Sequence, residues 1–464
     1  MKFGGTSVAD AAAIHQVAEI VSARLGRSPV VVVSAMARVT DALLSIAGKA
    51  ISSELDAEGR ALEVASAIEG LRERHYATAR DLLRGRASAS DSSRAEGQLE
   101  ALFVELGRFA HSVAMIGELS PRSQDAIVSF GERLSSAIAS AAFLARGLPA
   151  RLVDSRDFII TDSSFTSAAP DFEATRARAR AELLPVIEAG LVPVAQGFIG
   201  SSPDGVTTTI GRGGSDFSAA IIGAALGAEA IEIWTDVDGL MTTDPRVVPE
   251  ARRIRVISFA EAAELSYFGA KVLHPSTVLP AVDLGIPVHI FNTKNPSCEG
   301  TLIVSEPRPS PSAIKSIAFK RGVTLVNITS TRMLLAYGFL RRVFEVFDRH
   351  RTSVDVVTTS EVSVSITLDS IHRLEAIRRD LESFCQVSVE QGKAIVCVVG
   401  DGLKFRRGFA ARLFRAVEST NVNMISQGAS EINLTFVIDE ADVDGVVRSM
   451  HEMFFDEPDP DTFA

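Results

Sequence analysis

Short apolar runs alternate with longer amphipathic stretches through the first half of the chain. Continuous aliphatic runs bounded by polar or glycine-rich segments predict strands buried on both faces. These runs are Val30–Val33, Arg151–Val153, Val192–Val194 and Ile231–Trp234. Residues 41–146 are rich in Ala, Leu, Glu and Arg and predict helices. Strands that alternate with helices predict an α/β fold with a largely parallel sheet, which binds ligands beyond the carboxyl ends of its strands.

The C-terminal part of the chain contains an internal repeat. Gly338–Phe344 matches Gly408–Phe414, and each copy continues with the apolar spacing of an amphipathic helix. A strand pattern follows each helix, at Ser360–Ser365 in the first copy and at Ser430–Thr435 in the second. Two copies of a β-α-β-β-α-β unit are the simplest account of this pattern.

The prolines Pro307, Pro309 and Pro311 mark a change in composition and predict a semi-rigid linker. The expected organisation is an α/β domain at 1–304, a linker at 305–314, two repeat modules, in tandem or interleaved, at 315–455, and an acidic tail at 456–464. The tail has the composition of a linker or a disordered end. A strand normally precedes a phosphate-binding turn, but the glycine turn Lys2-Phe3-Gly4-Gly5 directly follows Met1. We therefore expect either a very short first strand or a start that lies inside a longer natural chain.

Charge and cysteine content exclude several classes of protein. A formal net charge of −11 argues against a protein that binds nucleic acid through its phosphates. Cys298, Cys385 and Cys397 lie far apart, which makes a disulfide framework or a cysteine-rich metal site improbable. No apolar run reaches the roughly 18–20 residues needed to span a bilayer, and no signal-peptide pattern is present. We therefore expect a cytoplasmic protein with no membrane partner.

Two glycine-rich turns predict phosphate binding. Lys2-Phe3-Gly4-Gly5 precedes helical sequence, and Gly211-Arg212-Gly213-Gly214-Ser215-Asp216 precedes a second helix rich in alanine. Glycines let the backbone approach an anion, and the first turn of a helix presents free N–H groups to it. The first motif lacks the GxxxxGK[ST] spacing of common nucleotide hydrolases, and capping by Ser215 or Asp216 is the alternative for the second. Capping leaves Arg212 and the three glycines unexplained.

Further polar residues follow the predicted strand at Ile231–Trp234. Thr235 and Asp236 could hold the ribose or base of a nucleotide, and Asp244-Pro245-Arg246 is a turn that offers a bidentate cation to phosphate. Lys271 supplies another cation beside a glycine, whereas His274, followed by proline, is expected to be structural. The sequence contains no clear catalytic histidine or Ser/His/Asp set.

The motifs KFGGTSVAD, GRGGSDFSAA, WTDVDG, TTDPR and FGAKVLHP, in this order, resemble those of aspartate kinases of the amino-acid-kinase fold. The resemblance covers essentially the whole chain and is best to the lysine-sensitive branch. It implies a largely parallel sheet sandwiched by helices, followed by two ferredoxin-like α+β ACT modules. It also implies ATP-dependent phosphorylation of the side-chain carboxylate of L-aspartate, the first step toward lysine, threonine and methionine.

The resemblance assigns roles to individual residues. Lys2 would stabilise charge on the transferring phosphoryl group, and Asp216 would orient that lysine. The implied aspartate contacts are Thr40, Glu132 (amine), Arg212 (carboxylate), Gly213, Gly214 and Ser215. The implied nucleotide contacts are Lys2, Gly4, Gly5, Thr235, Asp236, Met241, Arg246, Lys271 and Val272. Met241 stands where relatives often carry a tyrosine, so a hydroxyl contact is lost there.

Phosphoryl transfer to a carboxylate suits the residues that the resemblance assigns. The side-chain carboxylate of aspartate has a pKa near 3.9 and is already ionised at neutral pH, so no general base is required. The reaction needs in-line placement of two anions and positive charge on the γ-phosphate. The implied cofactors are ATP and Mg²⁺, and the sequence does not identify the residues that would hold the metal.

The ACT modules imply feedback inhibition by an amino acid. The implied effector contacts are Met333, Ala336, Phe339, Leu340, Ser353, Val354, Asp355, Thr359, Ser360 and Glu361. Asp355 and Glu361 could take the two ammonium groups of lysine, which we favour as effector. Leu335 and Ala336 stand where lysine-sensitive relatives tend to be polar, so threonine or no effector stays open. The same modules imply a homodimer or tetramer.

Other functions stay open at this point. The chain could act on glutamate, N-acetylglutamate or a nucleoside monophosphate, although the pair of Glu132 and Arg212 and the paired modules count against this. It could also be an amino-acid-binding regulatory protein that has lost catalysis, but that alternative predicts damage at Lys2, Asp216 or the glycine turns, and all are present. A part of a bifunctional polypeptide is a third possibility.

Overall fold

The computed structural model describes residues 1–211, 213–268, 275–306, 314–330, 337–456 and 459–464. It divides into two compact units. The first comprises Met1–Gly239 and Val272–Ser305, and the second comprises Leu240–Lys271 and Glu306–Ala464. Residues 240–271 therefore group with the C-terminal part of the chain. The domain limits expected from the sequence stay predictions.

The secondary structure consists of helices and strands numbered in chain order. The helices are α1 (Ala11–Ser22), α2 (Val39–Lys49), α3 (Ala57–Leu83), α4 (Ala89–Ile116), α5 (Pro121–Val128), α6 (Phe130–Ala145), α7 (Phe172–Glu188), α8 (Gly214–Leu226), α9 (Phe259–Tyr267), α10 (Leu279–Asp283), α11 (Phe339–Arg349), α12 (Leu374–Glu382), α13 (Phe409–Ala416) and α14 (Val443–Phe455). The strands are β1 (Lys2–Phe3), β2 (Val31–Val33), β3 (Ala150–Val153), β4 (Val192–Gln196), β5 (Ile199–Ser201), β6 (Thr207–Thr209), β7 (Ile231–Thr235), β8 (Val256–Ser258), β9 (Val288–Asn292), β10 (Thr301–Val304), β11 (Ile314–Thr329), β12 (Val357–Thr359), β13 (Ser363–Leu368), β14 (Gln386–Gly400), β15 (Met424–Gln427) and β16 (Asn433–Asp439).

The first unit is built on a largely parallel sheet, as its strand pattern predicts. Its strands run in the order β3-β4-β2-β1-β7-β9-β10. All neighbours from β3 to β9 are parallel, and β10 pairs antiparallel with β9. The aliphatic runs are buried because helices cover both faces of the sheet, as is usual for parallel sheets. The four strands predicted from those runs are thereby confirmed.

The first strand has only two residues, as its position after Met1 predicts, but it lies in the middle of the sheet. Lys2 is in register with Val32 on one side and with Ile233 on the other. The Phe3 side chain is fully buried and its ring stacks on that of Trp234, with 5.9 Å between the ring centroids. Parallel pairing on both sides and a packed aromatic ring hold this short strand in place.

Helices α5 and α6 form one apolar stretch, Pro121–Ala145, which by length and composition could cross a membrane. Of its most apolar window, 89% is buried inside the protein. It contributes Phe130, Leu134 and Phe143 to a hydrophobic core of the first unit. The stretch is therefore accounted for as the core of a folded domain.

The second unit carries the internal repeat as two structural copies. The first copy is the predicted β-α-β-β-α-β unit, β11-α11-β12-β13-α12-β14. In the second copy, α13, β15, β16 and α14 follow β14. One antiparallel sheet joins the copies in the order β12-β13-β11-β14-β16-β15. The long strands β11 and β14 are shared, so the two α+β modules are interleaved, one of the two arrangements expected.

The acidic C-terminal segment is better packed than its composition predicts. Phe463 is buried, its ring meets that of Phe455 edge-on at 5.5 Å, and its backbone bridges to Ile254. The carbonyl of Thr462 accepts a hydrogen bond from the Arg255 amide. The expectation of a linker or disordered end is wrong for residues 459–464, because one buried aromatic ring and a few backbone bonds outweigh the acidic and proline-rich composition.

Candidate functional site

Lys2 and Asp216 form an ion pair at the carboxyl end of the parallel sheet. The Lys2 ammonium lies 2.7 Å from Oδ1 of Asp216, and the two side chains are only 10% and 14% exposed. Lys2 comes from the central strand β1 and Asp216 from the first turn of α8. The structure thus brings together the two residues predicted to be catalytic.

The second glycine turn requires glycine for two physical reasons. Gly211 and Gly213 have φ of 79° and 71°, a left-handed conformation that disfavours residues with a Cβ. Gly214 begins α8, and a Cβ there would lie 2.6 Å from the Phe198 ring. Gly197 is equally restricted, since its Cβ would lie 2.6 Å from Cβ of Ser215. The turn therefore presents the N-terminus of a 13-residue helix in close contact with the end of β4.

Glu132 is buried and only partly satisfied. One carboxylate oxygen, Oε1, accepts a hydrogen bond from the Ala35 amide at 3.1 Å. The other, Oε2, is buried and has no partner within the part of the chain that the structure describes. Burial raises the pKa of Glu132 to about 8, against the lowering effect of the Ala35 bond and the charge of Lys2. A buried carboxylate oxygen without a partner is costly, so this atom is suited to a cationic ligand.

A cavity of about 490 Å³ connects these groups. The predicted site residues that line it are Lys2, Gly5, Thr40, Glu132, Gly213, Gly214, Ser215 and Asp216. It therefore has a lysine–aspartate pair, a free buried carboxylate and a helix N-terminus on its walls. This combination can hold a zwitterion and an anion next to each other.

A second cavity, of about 500 Å³, lies at the same edge of the sheet and contains Thr235 and Asp236. The first glycine turn approaches this region, because the Gly4 amide donates to the Trp234 carbonyl at 3.1 Å. The Ser7 and Thr293 hydroxyls share a hydrogen bond of 2.6 Å that fixes the cavity wall. Strand β7 thus ends in two polar residues at an open pocket, as a nucleotide subsite would require.

The other predicted nucleotide residues lie elsewhere or outside the described ranges. Met241 and Arg246 belong to the second unit, where the exposed Arg246 side chain donates to the Asp244 carboxylate at 2.6 Å. Among the predicted substrate and nucleotide contacts, Arg212, Lys271 and Val272 fall outside the described residues. Their predicted contacts stay predictions.

The predicted effector residues cluster around α11 and the segment that follows it. Phe339 is buried in a core that Val354 packs against. Leu340, Ser353, Thr359, Ser360 and Glu361 are exposed, and Met333 and Ala336 are outside the described residues. Asp355 accepts a hydrogen bond from the Tyr267 hydroxyl and lies 3.8 Å from the Lys320 ammonium. Burial raises the pKa of Asp355 to about 6, so its surroundings favour a neutral or a paired carboxyl.

The sequence does not predict two residues on the wall of the first cavity, Asp125 and Arg38. Asp125 is 1% exposed, and its pKa is raised by burial against the effect of hydrogen bonds from Thr166 and Thr209. Arg38 is exposed and has a left-handed φ of 65°. An aspartate within a helical pattern gives no local signal, because its partners are distant in sequence.

Comparisons with known proteins agree with this geometry. The model of the Amino acid kinase family matches residues 1–292, and an ACT domain model matches 396–454. Lysine-sensitive aspartokinase 3 of Escherichia coli is 39% identical, over 98% of each chain. Aspartokinase 1, chloroplastic, of Arabidopsis thaliana is also 39% identical, over 99% of this chain and 80% of its own.

Solved structures give the same result. The crystal structure of E. coli aspartokinase III in complex with aspartate and ADP superimposes with a TM-score of 0.81 at 38% identity, covering 98% of this chain and 99% of that one. The same enzyme in complex with lysine and aspartate gives a TM-score of 0.82, covering 98% of each chain.

Proposed function

The chain belongs to the aspartokinases of the Amino acid kinase family, and we propose that it transfers the γ-phosphoryl group of ATP to the side-chain carboxylate of L-aspartate. The product is 4-phospho-L-aspartate, an acyl phosphate. The E. coli relative has been crystallised with aspartate and ADP, which supports these ligands for the present chain.

The aspartate substrate would lie in the first cavity, held at its charged ends. Glu132 would receive the substrate ammonium, because its buried Oε2 has no partner among the described residues. Arg212 would pair with a carboxylate, and Gly213, Gly214 and Ser215 would offer the backbone N–H groups of α8. Thr40 also lines this cavity and would add a hydroxyl.

The chain's own residues would then stabilise the phosphoryl group during transfer. The Lys2 ammonium is held by Asp216 of the second glycine turn at 2.7 Å and lies next to Gly4 of the first turn. A positive charge fixed before the reaction stabilises the charge that develops on the transferring oxygens. The aspartate carboxylate attacks without a base, because it is already ionised.

Thr235, Asp236, Met241, Arg246, Lys271 and Val272 would contact the nucleotide. Mg²⁺ would supply charge neutralisation on the β- and γ-phosphates, as it does in other phosphoryl transfers. It is usually bound through phosphates and one or two carboxylates. Asp236, beside the second cavity, fits that requirement as a single carboxylate.

The observation that carries the proposal is the Lys2–Asp216 pair on the wall of a cavity that Glu132 also lines, together with the buried Glu132 Oε2, which has no partner among the described residues. Aspartate-dependent ADP formation from MgATP tests it, with hydroxamate trapping of the acyl phosphate. Lys2→Ala and Asp216→Ala should lower turnover by at least about 10²-fold in folded protein. Glutamate, N-acetylglutamate and nucleoside monophosphates should not replace aspartate, and faster turnover of any of them would reassign the substrate.

Lysine is the proposed effector, binding at the ACT modules through Asp355 and Glu361. Support comes from the lysine-sensitive relative and its lysine complex, and from Asp355, whose raised pKa would be relieved by an ammonium group. The effector would favour a state with misaligned catalytic loops. Titrating lysine and threonine separately in the kinase assay decides between them, and no effect of either at millimolar concentration refutes the sensor.

Assembly and location follow from the same resemblance. We propose a homodimer or tetramer formed through the ACT modules, in the cytoplasm, without nucleic-acid or membrane partners. Light scattering on the intact protein measures the oligomeric state. A monomer at micromolar concentration, with or without lysine, would contradict this part of the proposal.

A further inference from the structure

Asp125 joins three separate segments around the aspartate cavity. It lies on α5 and is 1% exposed. Its carboxylate accepts two contacts from the Thr166 amide, at 3.1 Å and 2.9 Å. It also accepts from the Thr209 amide at 2.9 Å and from the Thr209 hydroxyl at 2.7 Å. One side chain therefore links α5, the loop at 162–169 and the end of β6.

Protein donors contact both oxygens of Asp125. Three donors, namely the Thr166 amide, the Thr209 amide and the Thr209 hydroxyl, make four contacts because the Thr166 amide approaches both oxygens. Asp125 is therefore bound mainly to protein groups, although it lies on the cavity wall. Glu132 is the opposite case, with one oxygen unpartnered among the described residues. Asp125 also does not cap α5, because that role belongs to Ser120.

The segments that Asp125 holds are those that support the second glycine turn. Thr166 has a left-handed φ of 74°, a conformation that costs energy for a β-branched residue and needs support from its surroundings. The Ala168 amide donates to the Thr209 carbonyl at 2.9 Å, which adds a second tie between the loop and β6. A Cβ on Gly211 would lie 3.6 Å from Ser167, so the turn packs directly on this loop.

We propose that Asp125 is a positioning residue, which sets the distance between the site for the aspartate ammonium and the site for its carboxylate. Helix α5 leads into α6, which carries Glu132, and Thr209 lies two residues before Gly211. The Asp125 carboxylate is thus a polar connection between the helices that lead to Glu132 and the strand that leads into the second glycine turn. The inference rests on the proposed aspartate kinase activity and adds a residue to it.

The test uses four variants of the intact protein. Asp125→Asn keeps the size of the side chain but puts an NH₂ group against N–H donors. Thr209→Val removes one hydroxyl donor, and Thr209→Ser restores it. Thr208→Val is the matched control, since Thr208 is equally buried on the same strand but bonds Thr161 at 2.7 Å. Initial rates against aspartate and against MgATP, together with thermal unfolding, are measured for each.

We expect Asp125→Asn to raise the KM for aspartate at least about tenfold, as loss of hydrogen bonds to a charged group does, with the KM for ATP within about twofold. Thr209→Val should change the KM for aspartate in the same direction, while Thr209→Ser and Thr208→Val should stay near wild type. This split between the two KM values is not expected of a side chain that only stabilises the fold.

Two results overturn the proposal. One is an Asp125→Asn variant with a lowered melting temperature but with both KM values unchanged or raised equally. The other, decisive if Asp125→Asn does not fold, is a Thr209→Val variant indistinguishable from Thr208→Val. If the wild type itself does not turn over aspartate, the proposed function fails first and this inference fails with it.

Discussion

Glu132→Gln is expected to remove a pH dependence from aspartate binding. The amide keeps an oxygen that can accept from the Ala35 amide, which now donates to Oε1 at 3.1 Å. It cannot carry the negative charge that the substrate ammonium needs. The change therefore alters the charge of one buried group and leaves its packing nearly intact.

The magnitude follows from the raised pKa. Burial places the pKa of Glu132 at about 8 in the folded protein, against an ordinary value of 4.5. At pH 7, only about one molecule in ten therefore has an ionised Glu132. Binding of an ammonium group requires the ionised form, so the KM for aspartate should fall about tenfold as the pH rises from 7 toward 8 and above. Loss of the charged hydrogen bond in the variant should cost about 1.5–3 kcal/mol of binding.

The raised pKa of Glu132 also makes the stability of the folded protein depend on pH. Because the folded-state pKa lies above the unfolded value, the stability contributed by protonated Glu132 is fully present below pH 4.5 and is lost as the pH rises through about 8. The difference corresponds to an upper limit of about 5 kcal/mol. Urea unfolding of the free enzyme should show part of this slope, and Glu132→Gln should remove it.

The assay is ADP formation at saturating MgATP, with aspartate varied between pH 6.5 and 8.5. Glu232→Gln is a matched control, because Glu232 is a buried carboxylate that is paired with Arg24 and Arg27. The control should keep the wild-type pH slope. A wild-type KM for aspartate that is flat across this range, or a slope that survives in Glu132→Gln, would refute the assignment of the ammonium site.

Three other changes have defined outcomes. Lys2→Met should lower kcat about 10²–10³-fold with a smaller effect on the KM for ATP, measured by steady-state kinetics. A KM for ATP that rises by as large a factor as kcat falls would contradict a role in the transition state. Tyr267→Phe should lower the lysine concentration for half-inhibition, because Asp355 then loses an internal partner that competes with the effector, and an unchanged value would refute this competition. Removing Mg²⁺ with a chelator should stop turnover reversibly, whereas full activity without the metal would exclude it as a cofactor.

Much of the fold is predictable from the chain because its signals are local. The aliphatic runs give the parallel strands, and the repeat at Gly338 and Gly408 gives the two α+β modules, with α11 and α13 beginning at Phe339 and Phe409. The grouping of residues 240–271 with the C-terminal unit leaves no such signal. It depends on contacts between segments far apart in sequence, such as the ion pair of Glu261 with Lys315 at 2.9 Å.

The candidate site also has residues that the sequence predicts and residues that it does not, and the two buried carboxylates Glu132 and Asp125 show why. Glu132 and Asp125 both lie in apolar helical sequence, and only the resemblance to a family distinguishes Glu132 there. In the structure they differ by what surrounds them: both oxygens of Asp125 accept hydrogen bonds from Thr166 and Thr209, whereas Glu132 keeps one oxygen without a partner among the described residues. Each carboxylate costs free energy to bury, and protein donors offset this cost at Asp125, whereas at Glu132 the ammonium of the proposed substrate would offset it. In the proposed site, Asp125 would therefore hold the surrounding segments together, and Glu132 would keep an oxygen for the ligand.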